Sequence, residues 1–436
     1  MLGFGRQRGD PAVSSYLGIL RTGDWITRER MRLVPLAVMI AALVAFGFLA
    51  ATSNGLNDYQ GRPLGTDFSN VYAAGTYVLD GHPESAFDPP QQHAREQVIF
   101  GPATPFYGWC YPPFLLFVSA ALALMPYVVA LAVWQGTTLL LYLGAIWAIL
   151  RSAAPAGGGR TSPLMRDPLW LLLALAFPAV FVNIGHGHNG FLTAFLIGMA
   201  LVVLDRRPVL AGVLFGLVSY KPQFGLLIPL VLIATGRWRT FAAATATIML
   251  LVLVSTIAFG PQIWDVFFAS THFTRIFVLE AGDTGWHKIQ SVFSWVRMWG
   301  GSVPLAYAVQ GAVTIALAVA LVWLWRSNAA FPLKAAALAI GTILATPYSL
   351  DYDMMLLAPA IAYLAADGIV RGFIPWEKTA LALLWFVPLF ARTIAMSTFI
   401  PLGVLVMLGV FALVLRRAVT DLGIFARWHS ATEPIK

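Results

Sequence analysis

Gly65-Thr-Asp-Phe-Ser-Asn-Val-Tyr-Ala-Ala-Gly-Thr-Tyr-Val-Leu79 and, after a polar stretch, Tyr111-Pro-Pro-Phe-Leu-Leu-Phe-Val-Ser-Ala-Ala-Leu-Ala-Leu-Met125 are the two runs whose reading decides the topology. In the first, Phe68, Val71, Tyr72, Gly75, Val78 and Leu79 recur at helical spacing, which predicts a short amphipathic helix over 67–79 lying on a bilayer surface. Gly81 and Pro83 stop it, and a second short helix is expected over 90–100. The second run is apolar over about 14 residues, short of the roughly 20 that cross a membrane. If 112–125 crosses, the loop 151–167 with Arg151, Arg160 and Arg166 faces outward; if it dips in or lies flat, that loop faces the cytoplasm. The positive-inside rule selects the second arrangement.

Outward from that choice, the chain reads as a polytopic all-α membrane protein. Hydrophobic residues make up 59% and charged residues 11% of its 436 residues, where soluble domains carry about 25% charge. The net charge of +8 is read as orientation of membrane spans, not as nucleic-acid affinity. A single cysteine, Cys110, excludes an internal disulfide and a cysteine metal cluster. The basic first 32 residues precede a span too long for a signal-peptide core, so 1–32 is expected to be a cytoplasmic segment. Twelve spans are expected, at about 33–52, 127–150, 168–184, 190–204, 208–220, 224–235, 240–259, 303–325, 335–347, 354–366, 379–392 and 399–415. The membrane domain is then 33–415, with 53–126 as its first external loop and 416–436 as a cytoplasmic tail. Several spans are short, as happens where helices line a cavity. No repeat of fixed period and no inverted halves are apparent.

With that topology the unusual polar groups fall at the outer ends of spans, where ionisable residues mark function because burying them is costly. Asp67 fits either a helix N-cap or a general base that takes a proton from a sugar hydroxyl. Lys221, between two apolar runs and before Pro222, fits a compact charge holding a phosphate or an interfacial anchor. In Gly185-His186-Gly187-His188-Asn189, two imidazoles offer zinc two ligands with no third placed, and His186, His188 and Asn189 fit hydrogen bonding to a sugar or a plain turn better. Asp351 and Asp353 flank Tyr352 and suit sugar hydroxyls, a divalent cation or a solvated turn. The loop 260–302 carries His272, Arg275, Glu280, Asp283, Trp286, His287 and Lys288 among aromatics, which fits carbohydrate or an interfacial aromatic belt. Tyr72 is a further candidate for sugar or acceptor contact, and Arg275 and Arg392 for contact with the donor phosphate.

The order of these motifs resembles a known family. Asp67-Phe68 with Tyr72-Ala73-Ala74-Gly75, then Tyr111-Pro112-Pro113, Gly185 to Asn189, Leu210 to Pro222, and Arg237-Trp238-Arg239 run in sequence across roughly residues 30 to 360. They resemble glycosyltransferase family 87, the polyprenol-phosphate-mannose-dependent mannosyltransferases of the GT-C superfamily. The resemblance implies a GT-C type bundle of about 12 transmembrane helices with juxtamembrane helices in the first external loop. It implies inverting transfer of a sugar, mannose in that family, from a polyprenyl-phosphate donor to a glycan or glycolipid acceptor on the extracytoplasmic face of the plasma membrane. Asp67 then takes the role of base, and Lys221 contacts the donor phosphate. The family often shows Gly-Gln-x-Asn where this chain has Gly187-His188-Asn189, and Ser-Trp-x-His-His where it has Ser349-Leu350-Asp351-Tyr352-Asp353. Phosphate is already a good leaving group, so no general acid is required; no cofactor is expected, and a divalent cation is the alternative at the acidic turn. The rival readings are a transporter or flippase of a lipid-linked or small solute, which places charges at the bilayer midplane, and a non-catalytic membrane scaffold.

Overall fold

The computed structural model describes residues 11–152 and 167–423. Most of the loop whose arginines bear on the topology, with Arg160 and Arg166, lies outside the described residues, as do the first ten residues and 424–436. Among the described residues the chain is helical and its only bridges are isolated. In chain order the α-helices are α1 (Pro11–Thr22), α2 (Arg28–Ala51), α3 (Phe68–Leu79), α4 (Pro89–Phe100), α5 (Leu116–Ala123), α6 (Tyr127–Ser152), α7 (Leu169–Leu175), α8 (Pro178–His186), α9 (Gly190–Val203), α10 (Pro208–Leu217), α11 (Leu227–Ala234), α12 (Trp238–Phe259), α13 (Ile263–Phe273), α14 (Val292–Met298), α15 (Val303–Arg326), α16 (Phe331–Leu344), α17 (Leu357–Arg371), α18 (Glu377–Thr398) and α19 (Leu402–Asp421).

Seven helical stretches are long and apolar enough to cross a membrane, or eight if α7 and α8, bent by 43°, form one span. Each of the twelve expected spans has a helical counterpart, but several are shorter apolar helices, among them α9 and α16, so the count of twelve crossings is not reproduced by length. The α7–α8 bend has a local cause: Phe177 precedes Pro178 and is held extended at φ −57°, ψ 121°. The long helices α2 and α12 bury few of their residues within the protein and carry exposed leucines, isoleucines and valines such as Leu43, Val44, Leu250 and Ile257.

The centre is α16, whose ten residues from Ala335 to Leu344 are all buried. At about 21 Å it is short of a bilayer's hydrocarbon core. It packs against α11, α15, α17 and α19, and Ala335, Ala336, Ala337, Ala339 and Gly341 let those neighbours approach closely. Around it, α6 packs on α9, α10 on α12, and α18 on α19.

The two helices expected in the first loop are present as α3 and α4. The apolar run after Pro112 forms a short 3₁₀ turn and α5, and it lies along α3. The contact is close because Gly75 sits at it: a β-carbon there would lie 2.1 Å from the Ser119 carbonyl oxygen. Phe68, Tyr72 and Phe100 gather on Tyr127 at ring separations of 5.5, 5.2 and 4.7 Å, fastening α3 and α4 to the start of α6. This rigid hairpin of short helices carries Asp67 at its edge.

Candidate active site

Asp67 occupies the position before α3, yet its backbone is already helical and its side chain makes no capping hydrogen bond. Capping therefore does not account for this acid. Its Oδ2 lies 3.7 Å from Nδ1 of His186, the nitrogen that also meets Thr66 Oγ1 at 2.9 Å. The two side chains are 23% and 28% exposed, so the pair stands at an open edge.

The turn carrying the histidines is pressed against the turn carrying the acid. Gly187 has φ +60°, and a β-carbon on it would lie 2.6 Å from Phe68 Cβ and 2.9 Å from the Gly65 carbonyl. Both the backbone angle and the space require glycine. Buried amides hold the turn from behind. Asn183 accepts from Gly190 N–H at 2.7 Å and donates to Gln135 Oε1 at 3.1 Å, and Gln135 donates to the His188 carbonyl at 3.0 Å. His188 stacks on Tyr352 at 3.5 Å, and its Nε2 lies 3.0 Å from the Tyr111 hydroxyl. Burial pushes the Tyr111 phenol well above its usual range, so it keeps its proton. His188 Nδ1 and Asn189 Oδ1 are buried with no hydrogen-bond partner. Both residues border a narrow pocket shared with Asp67, Tyr111, Leu115 and Trp134. Orphaned buried polar atoms are rare and call for a partner.

The two acids of the 351–353 turn have different surroundings. Asp353 is buried, with Oδ1 2.5 Å from Lys221 Nζ and Oδ2 accepting from Leu350 N–H at 2.9 Å. Lys221 is only 4% exposed, so its ammonium faces inward onto Asp353 and not the open edge. Asp351 accepts from Tyr352 N–H at 3.0 Å and meets Arg392, on α18, only at 3.5 Å. Arg392 is 43% exposed.

A short turn, Trp286–Lys288, packs on α18 beside them. Gln290 N–H donates to the Ser349 carbonyl at 2.6 Å, and Ile289 bridges to Leu350. The 260–302 loop is thus tied to the acidic turn. Lys288 is half-buried and, among the described residues, pairs with no acid. Burial and the nearby Arg392 push its amine below the usual lysine range, while Asp351 and Asp67 act in the opposite direction.

Two sequence candidates sit elsewhere. Arg275 is 55% exposed and meets Glu280 at 3.5 Å and His272 Nδ1 at 3.3 Å. Tyr72 donates to the Met125 carbonyl at 2.9 Å, as a strut between α3 and the residues just after α5. One group that sequence reasoning passed over is Glu96 on α4. It is fully buried and, among the described residues, touches no cation; its Oε2 accepts from Tyr107 N–H at 2.9 Å. Burial holds its carboxyl up at about 8, against which the Tyr107 and Gln92 hydrogen bonds act, and neighbouring Asp67 adds to the rise. In Gln91-Gln92-His93-Ala94-Arg95-Glu96-Gln97 nothing distinguishes a buried acid from a solvated one.

Among the described residues no three His, Cys, Asp or Glu side chains come together as a metal site. No curated protein and no solved structure matches the chain. The model of glycosyltransferase family 87 matches residues 109–347, somewhat less than the span of the motif resemblance. The matched stretch includes His186, His188, Asn189, Lys221 and Lys288 and leaves Asp67, Asp351, Asp353 and Arg392 to either side. With more than half of its length matched, and with apolar helices fit to cross a bilayer several times over, the chain belongs to glycosyltransferase family 87 and is a multi-pass membrane glycosyltransferase.

Proposed function

We propose that this enzyme moves a sugar, mannose on the family resemblance, from a polyprenyl-phosphate donor to a glycan or glycolipid acceptor at the extracytoplasmic face of the plasma membrane, with inversion and with Asp67 as general base. The observation that carries the reading is Asp67 itself. Its carboxylate is uncapped, partly exposed, and held against His186 by a turn that only glycine at 187 permits. A base must lie within reach of the proton that it takes and must not be spent on another bond. The orphaned Nδ1 of His188 and Oδ1 of Asn189 next to it suit sugar or acceptor hydroxyls. Asp351, held less tightly than Asp353, is the acid of its turn that is placed for the same work.

In the step itself, the acceptor oxygen attacks the anomeric carbon from the face opposite the phosphate. The carbon–oxygen bond to the phosphate breaks, and its electron pair stays with the leaving phosphate. The acceptor proton passes to Asp67. A cation at the phosphate is then worth most in the transition state, where the new charge develops. Arg392, partly exposed and loosely paired, fits that role; Lys221 reaches it only by giving up Asp353, and Arg275 only by leaving Glu280.

The test is transfer of radiolabelled mannose from polyprenyl-phosphate-mannose to a membrane extract by the purified chain in lipid. Label appears in the acceptor with wild type and not with Asp67→Asn. Accumulation of an intact lipid-linked sugar across the bilayer, with no transfer, would instead favour a flippase.

A further inference from the structure

We infer that the departing phosphate is received by Lys288 together with Arg392, and that Lys221 acts behind the site as a positioning residue that pins the 350–353 turn through Asp353. This rests on the glycosyl-transfer reading above and assigns one of its parts.

The charges at the open edge are few. Asp67 must stay free to take a proton. Arg62 is engaged by Asp58, at 2.9 Å. Asp351 is nearly buried, is already bonded by Tyr352 N–H, and lies 3.5 Å from Arg392. Lys288 then has no acid of its own among the described residues, although it is half-buried beside Arg392. Two cations brought to one half-buried edge where Asp351, 3.5 Å from Arg392, is the acid nearest the guanidinium are undercompensated until a further anion arrives. The turn is not loosely hung: Trp286–Lys288 packs on α18, the helix that carries Arg392. The bond from Gln290 N–H to the Ser349 carbonyl fixes its far side to the turn holding both aspartates. The two cations are therefore presented by elements that are braced on each other.

The chemistry fits this pair. A sugar phosphodiester carries one negative charge, and the polyprenyl phosphate that leaves carries up to two. The extra charge appears as the bond to the anomeric carbon breaks, so a lysine with no acid of its own among the described residues and an arginine held by Asp351 only at 3.5 Å favour the leaving state over the bound donor. Lys221 has no such unspent charge, because its ammonium already meets Asp353 at 2.5 Å in a buried setting.

The experiment measures binding of polyprenyl phosphate, the product, to the full chain in lipid nanodiscs without acceptor, alongside transfer kinetics. Lys288→Gln is expected to weaken product binding at least tenfold and to lower kcat/KM by more than its effect on binding of the sugar donor. Lys288→Arg should recover most of both. The paired variant Lys221→Met with Asp353→Leu, which removes the buried pair without leaving one charge alone, should keep product binding within about threefold. Wild-type product binding that Lys288→Gln leaves unchanged overturns the assignment and spares the glycosyl-transfer reading. Loss of product binding in a folded Lys221/Asp353 double variant returns the phosphate to Lys221 and also overturns it. A wild-type chain that neither transfers sugar nor binds polyprenyl phosphate removes the reading and the assignment together.

Discussion

At one end of α18, Glu377 meets Arg417 at 2.5 Å, and Arg417 also reaches Asp367 at 3.2 Å and the Gly372 carbonyl at 3.0 Å. Arg371 closes the group by forking onto Asp367 and reaching Asp421 at 2.6 Å. Some 22 Å along the same helix, Arg392 holds Asp351 only at 3.5 Å, and among the described residues Lys288 holds no acid and the one charged partner of Asp67 is a histidine. The first cluster has an acid for each arginine and is largely sealed. The second keeps charges apart and partly wet. A closed network fastens α17, α18 and α19, whereas an open one has room for a substrate to complete it. Charge gathered at helix ends is therefore not a mark of function; charge left without its counter-ion is.

Asp67→Asn should lower the transfer rate by about 10²- to 10⁴-fold, the usual range for a lost general base, with the thermal midpoint unchanged. A folded Asn variant that retains the rate removes Asp67 as base. Arg417→Met should do the reverse. It leaves buried carboxylates undercompensated and should destabilise by about 3 kcal/mol or more, while the activity of the surviving folded protein holds. Rate loss at unchanged stability would mean that the sealed cluster is not merely structural.

Glu96 sharpens the contrast from another side, as a buried acid without a cation. Its folded value of about 8 lies above the ordinary 4.5. Between the two, the native chain binds a proton that the unfolded chain has lost, so stability falls as pH rises through that window, and the loss is complete above about 8. Glu96→Gln should thus melt with the wild type near pH 4 and stand a few kcal/mol above it near pH 9. Equal pH dependence in thermal unfolding would show that the carboxyl is ionised in place. Smallest of all, Arg275→Gln should change transfer less than twofold, since its pair with Glu280 is exposed and long. A tenfold loss in steady-state kinetics would bring the 274–281 segment into the site.

The helices of the first loop were legible because amphipathic spacing is a local property: 67–79 and 90–100 were expected, and Phe68–Leu79 and Pro89–Phe100 are found. His186, His188 and Asn189 were legible as an unusual turn in an apolar chain, and the structure brings them to Asp67. Lys221 shows where that reasoning stops. A lysine in an apolar setting marks a costly group, but only the packed chain shows whether its counter-charge is an absent ligand or Asp353, 132 residues away. Lys288 is the mirror case, an ordinary lysine in a polar loop until packing places it beside Arg392 without an acid. Labelling of Asp67→Cys by a membrane-impermeant reagent would test the sidedness, against a native Cys110 whose thiol burial pushes up to about 11.

Membrane class, helix positions and the family resemblance are written in the residues directly, because hydrophobicity, turn residues and motif order act over a few neighbours at a time. Which charges are spent and which are free emerges from the packed chain, because a counter-ion is chosen by distance in space, and the partners here lie on elements far apart in the chain.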